Sequence, residues 1–180
     1  QDLSPFRYFD GPQHPGAETL LKTLAKNKGW EPVFGPSNHL IGLKTGQGSV
    51  SLEPGSQLEL SLDPLTSIGE SLAGIETFEK EVSLITAPWG VQWLGIGVNP
   101  FHQVKDIELI PVARYGIMTD HFGKTGHLGT AMMRLTTSIQ VNLDYSSEAE
   151  AIEMFRVALC TSPVSYLLFS NSPFFERKPT

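Results

Sequence analysis

Two stretches of this 180-residue chain gather hydrogen-bonding side chains on one side of an extended backbone. Side chains alternate across a strand, so every second residue shares a face. From Arg134 the even positions are Arg134, Thr136, Ser138, Gln140, Asn142 and Asp144. The odd ones are Leu135, Thr137, Ile139, Val141 and Leu143. One face reads as core and the other as almost wholly hydrogen-bonding. A solvent-facing sheet surface alternates in the same way. Such surfaces usually carry Lys and Glu, however, whereas Gln, Asn, Ser and Thr are shorter and suit fixed hydrogen bonds to a ligand. From Ser49 to Ser61 the pattern returns, with Ser49, Ser51, Glu53, Gly55, Gln57, Glu59 and Ser61 opposite the mainly apolar Val50, Leu52, Leu58 and Leu60. Pro54-Gly55 should form a bulge or tight turn, which leaves the phase across it open. If the phase carries through, Glu53 and Glu59 share a face. Two carboxylates on a polar floor could ligate Mg²⁺, a hard cation that takes oxygen ligands; two surface glutamates would look the same.

The elements that must position these residues follow from periodicity and punctuation. Leu20, Leu21, Leu24 and Ala25 recur at helical spacing and predict a helix over Ala17 to Lys28, stopped at Gly29. Three β-like runs follow, Glu31 to Phe34, His39 to Lys44 and Ser49 to Ser61, separated by Gly-, Pro- and Asn-containing turns. Leu65, Ile68, Leu72, Ile75, Phe78, Val82 and Ile85 form one apolar stripe, with Ser67 and Glu70 as a capping box and Pro88 and Gly90 as the end. Val91 to Val98 reads as a buried strand whose Gly95 and Gly97 leave room for a close neighbour. A helix is expected over Arg114 to Phe122, a strand over Leu135 to Tyr145, and a second capped amphipathic helix from Ser147 to about Phe169. The predicted fold class is α+β, a mainly antiparallel sheet with helices on one face.

Composition narrows the partners. A formal charge of -6 argues against a nucleic-acid surface, because neutralising phosphates requires clustered Lys and Arg. No uninterrupted apolar run approaches the roughly 18 residues of a membrane span, so no membrane partner is expected. The N-terminus has neither the basic start nor the apolar core of a signal peptide. Cytoplasm is therefore the expected location, and the oligomeric state is left open. A chain that starts at Gln1 and stops in a Pro-containing stretch reads as cut from something longer. Cys160 is the one cysteine and sits among Phe155, Val157, Leu159 and Val164, which predicts a core position. His102, His121 and His127 lack the paired spacing of metal ligands. Gly123 and Gly126 are followed by no Gly-Lys-Ser/Thr and make no phosphate loop.

SLEPGSQLELS (51–61), IGLKTGQGSVSLEPG (41–55), the segment 114–148 and LFSNSPFFERKP (168–179) together resemble blocks of the plant-type and bacterial glutamate–cysteine ligases. SLEPGSQLELS (51–61) is similar to that family's Glu-Pro-Gly-Gly-Gln-x-Glu-Leu-Ser signature, and IGLKTGQGSVSLEPG (41–55) to the hairpin before it. The segment 114–148 resembles its Arg-Tyr-x-Ile-Met … Gly-x-x-Gly … Met-Met … Gln-Val-Asn-Leu-Asp run. LFSNSPFFERKP (168–179) resembles its Asn-Ser-Pro-Phe segment. The blocks occur in family order.

The resemblance implies a fold related to the catalytic half of glutamine synthetase. It also implies a reaction in which ATP phosphorylates the γ-carboxylate of L-glutamate and the amine of L-cysteine attacks the acyl phosphate. By this mapping Glu53 and Glu59 serve Mg²⁺-ATP, Gln140 and Asn142 face the nucleotide, and Thr136 and Ser138 line the glutamate end. Arg134 and Arg114 are the catalytic cations, Arg114 through a substrate carboxylate or phosphate; a surface salt bridge is its alternative. In plant members an arginine follows the Met-Met-Leu triplet, whereas here Arg134 directly follows Met132-Met133. The family's first Glu-x-Glu metal strand and its C-terminal part have no counterpart, so residues 1–180 are expected to form a partial catalytic domain, inactive alone. Alternatives are a related ligase with another acceptor amine, including the ergothioneine-pathway enzyme, or a non-catalytic binding module.

Overall fold

The computed structural model describes residues 3–126 and 128–179. Helix α1 (Ala17–Lys28) forms as its periodicity predicts and buries Ala17, Leu20, Leu21 and Leu24. Its N-cap residue is a glycine without a side chain, and Asp10 takes over the role. The Asp10 carboxylate accepts from the Gly16 N–H at 2.8 Å and from the Thr19 hydroxyl at 2.7 Å. Four strands follow in an antiparallel meander: β1 (Glu31–Phe34), β2 (Leu40–Thr45), β3 (Gly48–Leu52) and β4 (Leu58–Leu62). Leu43, Val50 and Leu60 lie in one cross-strand row, while the adjacent row is Gly42, Ser51 and Glu59. Because alternate residues face opposite ways, the apolar row packs into the core and Glu59 lies on the other side. Tyr8 closes the core from the N-terminal segment, its hydroxyl donating to the Leu40 carbonyl at 2.9 Å.

Helix α2 (Ile68–Thr86) starts at Ser67, whose hydroxyl accepts from the Glu70 N–H. The predicted stripe packs only toward its C-terminal end. Val82 is buried and Phe78 and Ile85 join the core, whereas Ile68, Leu72 and Ile75 are exposed. At that end the buried Thr86 hydroxyl donates to Val82 and accepts from the Trp93 indole, both at 2.9 Å. Helices α3 (Ala113–Thr125) and α4 (Gly129–Leu135) pack on each other. A long helix α5 (Glu148–Phe169) and a short hairpin of β5 (Phe174–Phe175) and β6 (Lys178–Pro179) complete the described chain.

The sheet is smaller than expected. The molecule is a mixed α+β fold with a four-stranded and a two-stranded antiparallel sheet, and helices rather than sheet dominate the second half. Neither polar-faced nor glycine-rich strand forms in that half. Residues 91–98 and 136–145 pair as strands only at an isolated bridge between Val98 and Thr136, with Thr137 beside it donating to the carbonyls of Gly97 and Ile96. A strand needs a neighbour for its N–H and C=O groups. Ile139, Val141 and Leu143 are 88%, 76% and 68% exposed, so the expected core face has nothing over it. The start of the expected strand is helical instead, since Ala131, Met132, Met133, Arg134 and Leu135 are all residues compatible with a helix. Gly97 does have its close neighbour: an added Cβ would lie 2.5 Å from the Ser172 hydroxyl. The same contact has the Gly97 N–H donating to Asn171.

Helix α5 forms from its cap, Ser147 accepting from the Glu150 N–H, but no other element packs on it. Cys160 is exposed there, which corrects the expected core position. By length and composition α5 could cross a membrane; Glu153, Arg156, Thr161, Ser162 and Ser165 interrupt the run in sequence. Leu43→Ala, in the covered row, should cost about 2–5 kcal/mol in urea unfolding, against under about 0.5 kcal/mol for Ile139→Ala.

Candidate functional site

The hairpin that carries Glu53 and Glu59 faces α3, α4 and the segment after α4 across an open cleft of about 580 Å³. Glu53, Pro54, Gln57, Leu58, Glu59 and Leu60 form one wall. Arg114, Tyr115 and Met118 come from α3, and Met132, Met133, Thr136, Thr137, Ser138 and Gln140 from α4 and beyond. The cleft therefore has a carboxylate side, a hydroxyl and amide side, and an apolar wall of methionine and tyrosine.

The two carboxylates lie together because the turn between β3 and β4 folds back on itself. The Glu53 N–H donates to the Gln57 carbonyl and the Ser56 N–H to the Glu53 carbonyl, each at 2.9 Å. Partial burial of the Glu53 carboxyl raises its pKa above the ordinary value, and the charge and hydrogen bond of Glu59 raise it further. Arg114 works in the opposite direction. As a whole residue Glu53 is exposed, so solvent keeps this effect modest. Glu59 also accepts from the Ser61 hydroxyl at 3.2 Å.

Arg114 lies at the first turn of α3. Its guanidinium donates to the Tyr115 hydroxyl at 2.9 Å and sits 4.8 Å from that ring's centroid. The hydrogen bond and electrostatic pull of Tyr115, with a smaller contribution from Glu53, raise its pKa against the opposing effect of burial. Tyr115 is buried, so the ring gives the arginine a fixed seat at the cleft wall.

Six of the eight sequence-predicted residues meet here: Glu53, Glu59, Arg114, Thr136, Ser138 and Gln140. Asn142 lies farther along the exposed segment and is not among the lining residues. Arg134 goes elsewhere. Its guanidinium donates to the carbonyls of Val104 and Ile107 at 3.3 and 3.2 Å and to the Thr119 hydroxyl at 3.4 Å. Burial lowers its pKa, and its Nε has no partner among the described residues. Helical rather than extended backbone at Arg134 breaks its phase with Gln140, so the arginine braces α4 against the 104–107 turn.

Sequence reasoning passed over Gln57, Tyr115 and Met118. Gln57 is on the same alternating face as Glu53 and Glu59; Met118 follows Arg114 by four residues, a helical spacing, whereas Tyr115 is simply its neighbour. No group of three or more His, Cys, Asp or Glu side chains converges as a metal centre among the described residues. Two adjacent carboxylates supply part of the oxygen shell that a hard divalent cation takes. The ring nitrogens of His102 meet the Asn99 side chain and the Leu3 carbonyl. His121 lies within α3, and His127 falls outside the described residues.

Comparison with known proteins places the chain as a whole. The model of glutamate-cysteine ligase family 2 matches residues 16–180. A chloroplastic glutamate–cysteine ligase of Nicotiana tabacum is 43% identical over 160 residues, which is 89% of this chain and 30% of the relative. That of Arabidopsis thaliana is 42% identical over 160 residues, with the same coverage of both chains. Glutamate–cysteine ligase A of Oryza sativa subsp. japonica is 41% identical, over 89% of this chain and 32% of the relative. The chain thus spans about a third of the length of these relatives. Their names place them in the chloroplast, which overturns the expected cytoplasmic location. With a family match over residues 16–180, nearly all of its length, the chain belongs to glutamate-cysteine ligase family 2.

Proposed function

We propose that this chain provides part of the site at which L-glutamate is activated by ATP and joined to L-cysteine through its γ-carboxylate. The observation that carries the reading is the cleft itself, which Glu53, Glu59, Arg114, Thr136, Ser138 and Gln140 line together. Phosphoryl transfer requires little covalent chemistry from protein, being mostly positioning and neutralisation of developing charge. Glu53 and Glu59 would hold Mg²⁺, which when bound offsets phosphate charge. Arg114 presents a charged, planar donor to a carboxylate or phosphoryl oxygen. Ser138 would offer a short donor and acceptor to the amino acid, Thr136, whose hydroxyl donates to the Met132 carbonyl at 2.7 Å, an acceptor, and Gln140 its amide to the nucleotide. Asn142 would reach the same site only if residues 137–145 take up an extended course along the cleft. Two carboxylates leave the cation's shell incomplete, so the reaction draws on oxygen ligands beyond these.

Glu53 gives a direct measure of the carboxylate pair. Its raised pKa means that the folded chain holds a proton more tightly than the unfolded chain does. The stability contributed by that proton is complete below the unfolded value of about 4.3 and is lost as pH rises through the folded value. Carboxyl NMR should show Glu53 titrating late, and Glu59→Gln should move its midpoint down and flatten the loss of stability. A Glu53 midpoint unmoved by Glu59→Gln would remove the coupling.

Ligand binding tests the function. Calorimetry with Mg²⁺-ATP and L-glutamate should show binding to this polypeptide, weakened about tenfold or more by Glu53→Ala, as expected for loss of a charged ligand group. Equal binding by wild type and Glu53→Ala would sink the proposal.

A further inference from the structure

We propose that Gln57 is a positioning residue, a clamp that sets the register between the two walls of the cleft. This rests on the ligase reading of that cleft, and it concerns a side chain to which that reading gives no part. The Gln57 side-chain oxygen accepts from the Gly55 N–H at 2.8 Å. Its amide nitrogen donates to the Met133 carbonyl at 3.2 Å and to the Thr136 carbonyl at 3.0 Å. One amide therefore ties the turn of the carboxylate wall to the C-terminal end of α4, where the polar wall begins.

Three features make this a specific fit. Both amide protons and one oxygen lone pair are engaged, and reversing the amide would point its oxygen at two carbonyls and its protons at an N–H. The carbonyls it meets belong to a helix end, where backbone acceptors lack partners within the helix. Gly55 permits the approach: a Cβ there would come within 2.6 Å of the Arg134 carbonyl oxygen and 2.9 Å of the Gln57 side-chain oxygen. The glycine lets the turn lie flat on the helix end, and the glutamine then fastens it. Thr136 is also the residue bridged to Val98, and beside it the Thr137 N–H donates to the Gly97 carbonyl at 3.0 Å. Releasing Gln57 would leave the start of the Thr136–Gln140 wall held from the 96–98 side and no longer fastened to the turn, with Glu53 and Glu59 still on their hairpin.

Hydrogen exchange on the ligand-free chain tests the clamp. Gln57→Glu keeps the side-chain length but sets an acceptor against two carbonyls; Gln57→Leu removes all three hydrogen bonds. In both, the amides of Gly55 and Thr137 should exchange about tenfold faster, the loss expected for one net hydrogen bond to each region. Amides of the β3–β4 ladder should be unchanged. When acid protonates the new carboxyl, Gln57→Glu regains a donor and its protection should return. Gln57→Leu carries the same Glu53, Glu59 and Arg114 and should not recover. Unchanged exchange at Gly55 and Thr137 overturns the clamp, and so does a uniform acceleration of every amide.

Calorimetry on wild type and Gln57→Leu separates positioning from folding. Mg²⁺ alone should bind both equally, since its two carboxylates share one hairpin. Mg²⁺-ATP with L-glutamate, which must span both walls, should bind Gln57→Leu about tenfold more weakly. Equal loss of both ligands overturns the positioning role. If wild type binds neither, the ligase reading fails, while the exchange result still decides the clamp.

Discussion

The turn from Glu53 to Gln57 is the constraint on which the arrangement of the cleft depends. It joins the two strands of the carboxylate hairpin, and its backbone is engaged on several sides at once. The Pro54 carbonyl accepts from the Ile110 N–H at 2.9 Å, which fixes the segment leading into α3. The place of Arg114 and Tyr115 at the start of that helix follows. Gly55 meets the Arg134 carbonyl, and Gln57 meets the carbonyls of Met133 and Thr136. Ser56 holds a left-handed conformation at φ 69° and is buried, so the turn is a packed feature. On its other side β3 is anchored in the core through Val50 and Leu52. Rigidity thus passes from α1 and the sheet, through one turn, to three separate stretches of the site.

The second half of the chain shows what happens where such anchoring stops. Helix α5 and residues 137–145 both carry large exposed apolar side chains, yet one is regular and the other is not. A helix satisfies its backbone groups within itself, and a favourable cap at Ser147 helps it begin. An extended segment must borrow its hydrogen bonds from a neighbour. The alternation of residues 135–145 encodes a strand with one covered face, but no described element offers either an edge or a cover. A helix as apolar around its circumference as α5 is suited to burial on all sides. Both segments have surfaces made to be covered.

This asymmetry also explains what could be read from sequence. The bounds of α1 and β1, the caps of α2 and α5 and the turn at Pro54-Gly55 were all legible, because each is set by local spacing, a capping hydroxyl or a turn dipeptide. The strands expected at 91–98 and 135–145 depend on non-local pairing, which periodicity cannot report. Glu53, Glu59, Thr136, Ser138 and Gln140 were found from alternation and do meet at one cleft. Arg134 was misplaced because α4 absorbs the first residues of the expected strand. Gln57 lay on the correct face, but its importance comes from the helix end it meets, and nothing local in sequence places that helix against the turn.

Charge balance decides what the cleft can accept. Glu53 feels the charge of Glu59, and Arg114, already engaged with Tyr115, lines the same cleft. A nucleotide triphosphate or a second carboxylate would meet net repulsion at the hairpin wall if it came alone. A divalent cation held by the glutamates would reverse that sign: it would offset the burial and the Glu59 charge that raise the Glu53 pKa, and make the wall attractive to phosphate oxygens. On the proposed reading, the placing of two carboxylates in one cleft is therefore part of the binding design. Metal and nucleotide should bind as mutually dependent partners, with Arg114 free to meet whatever charge the cation leaves uncompensated.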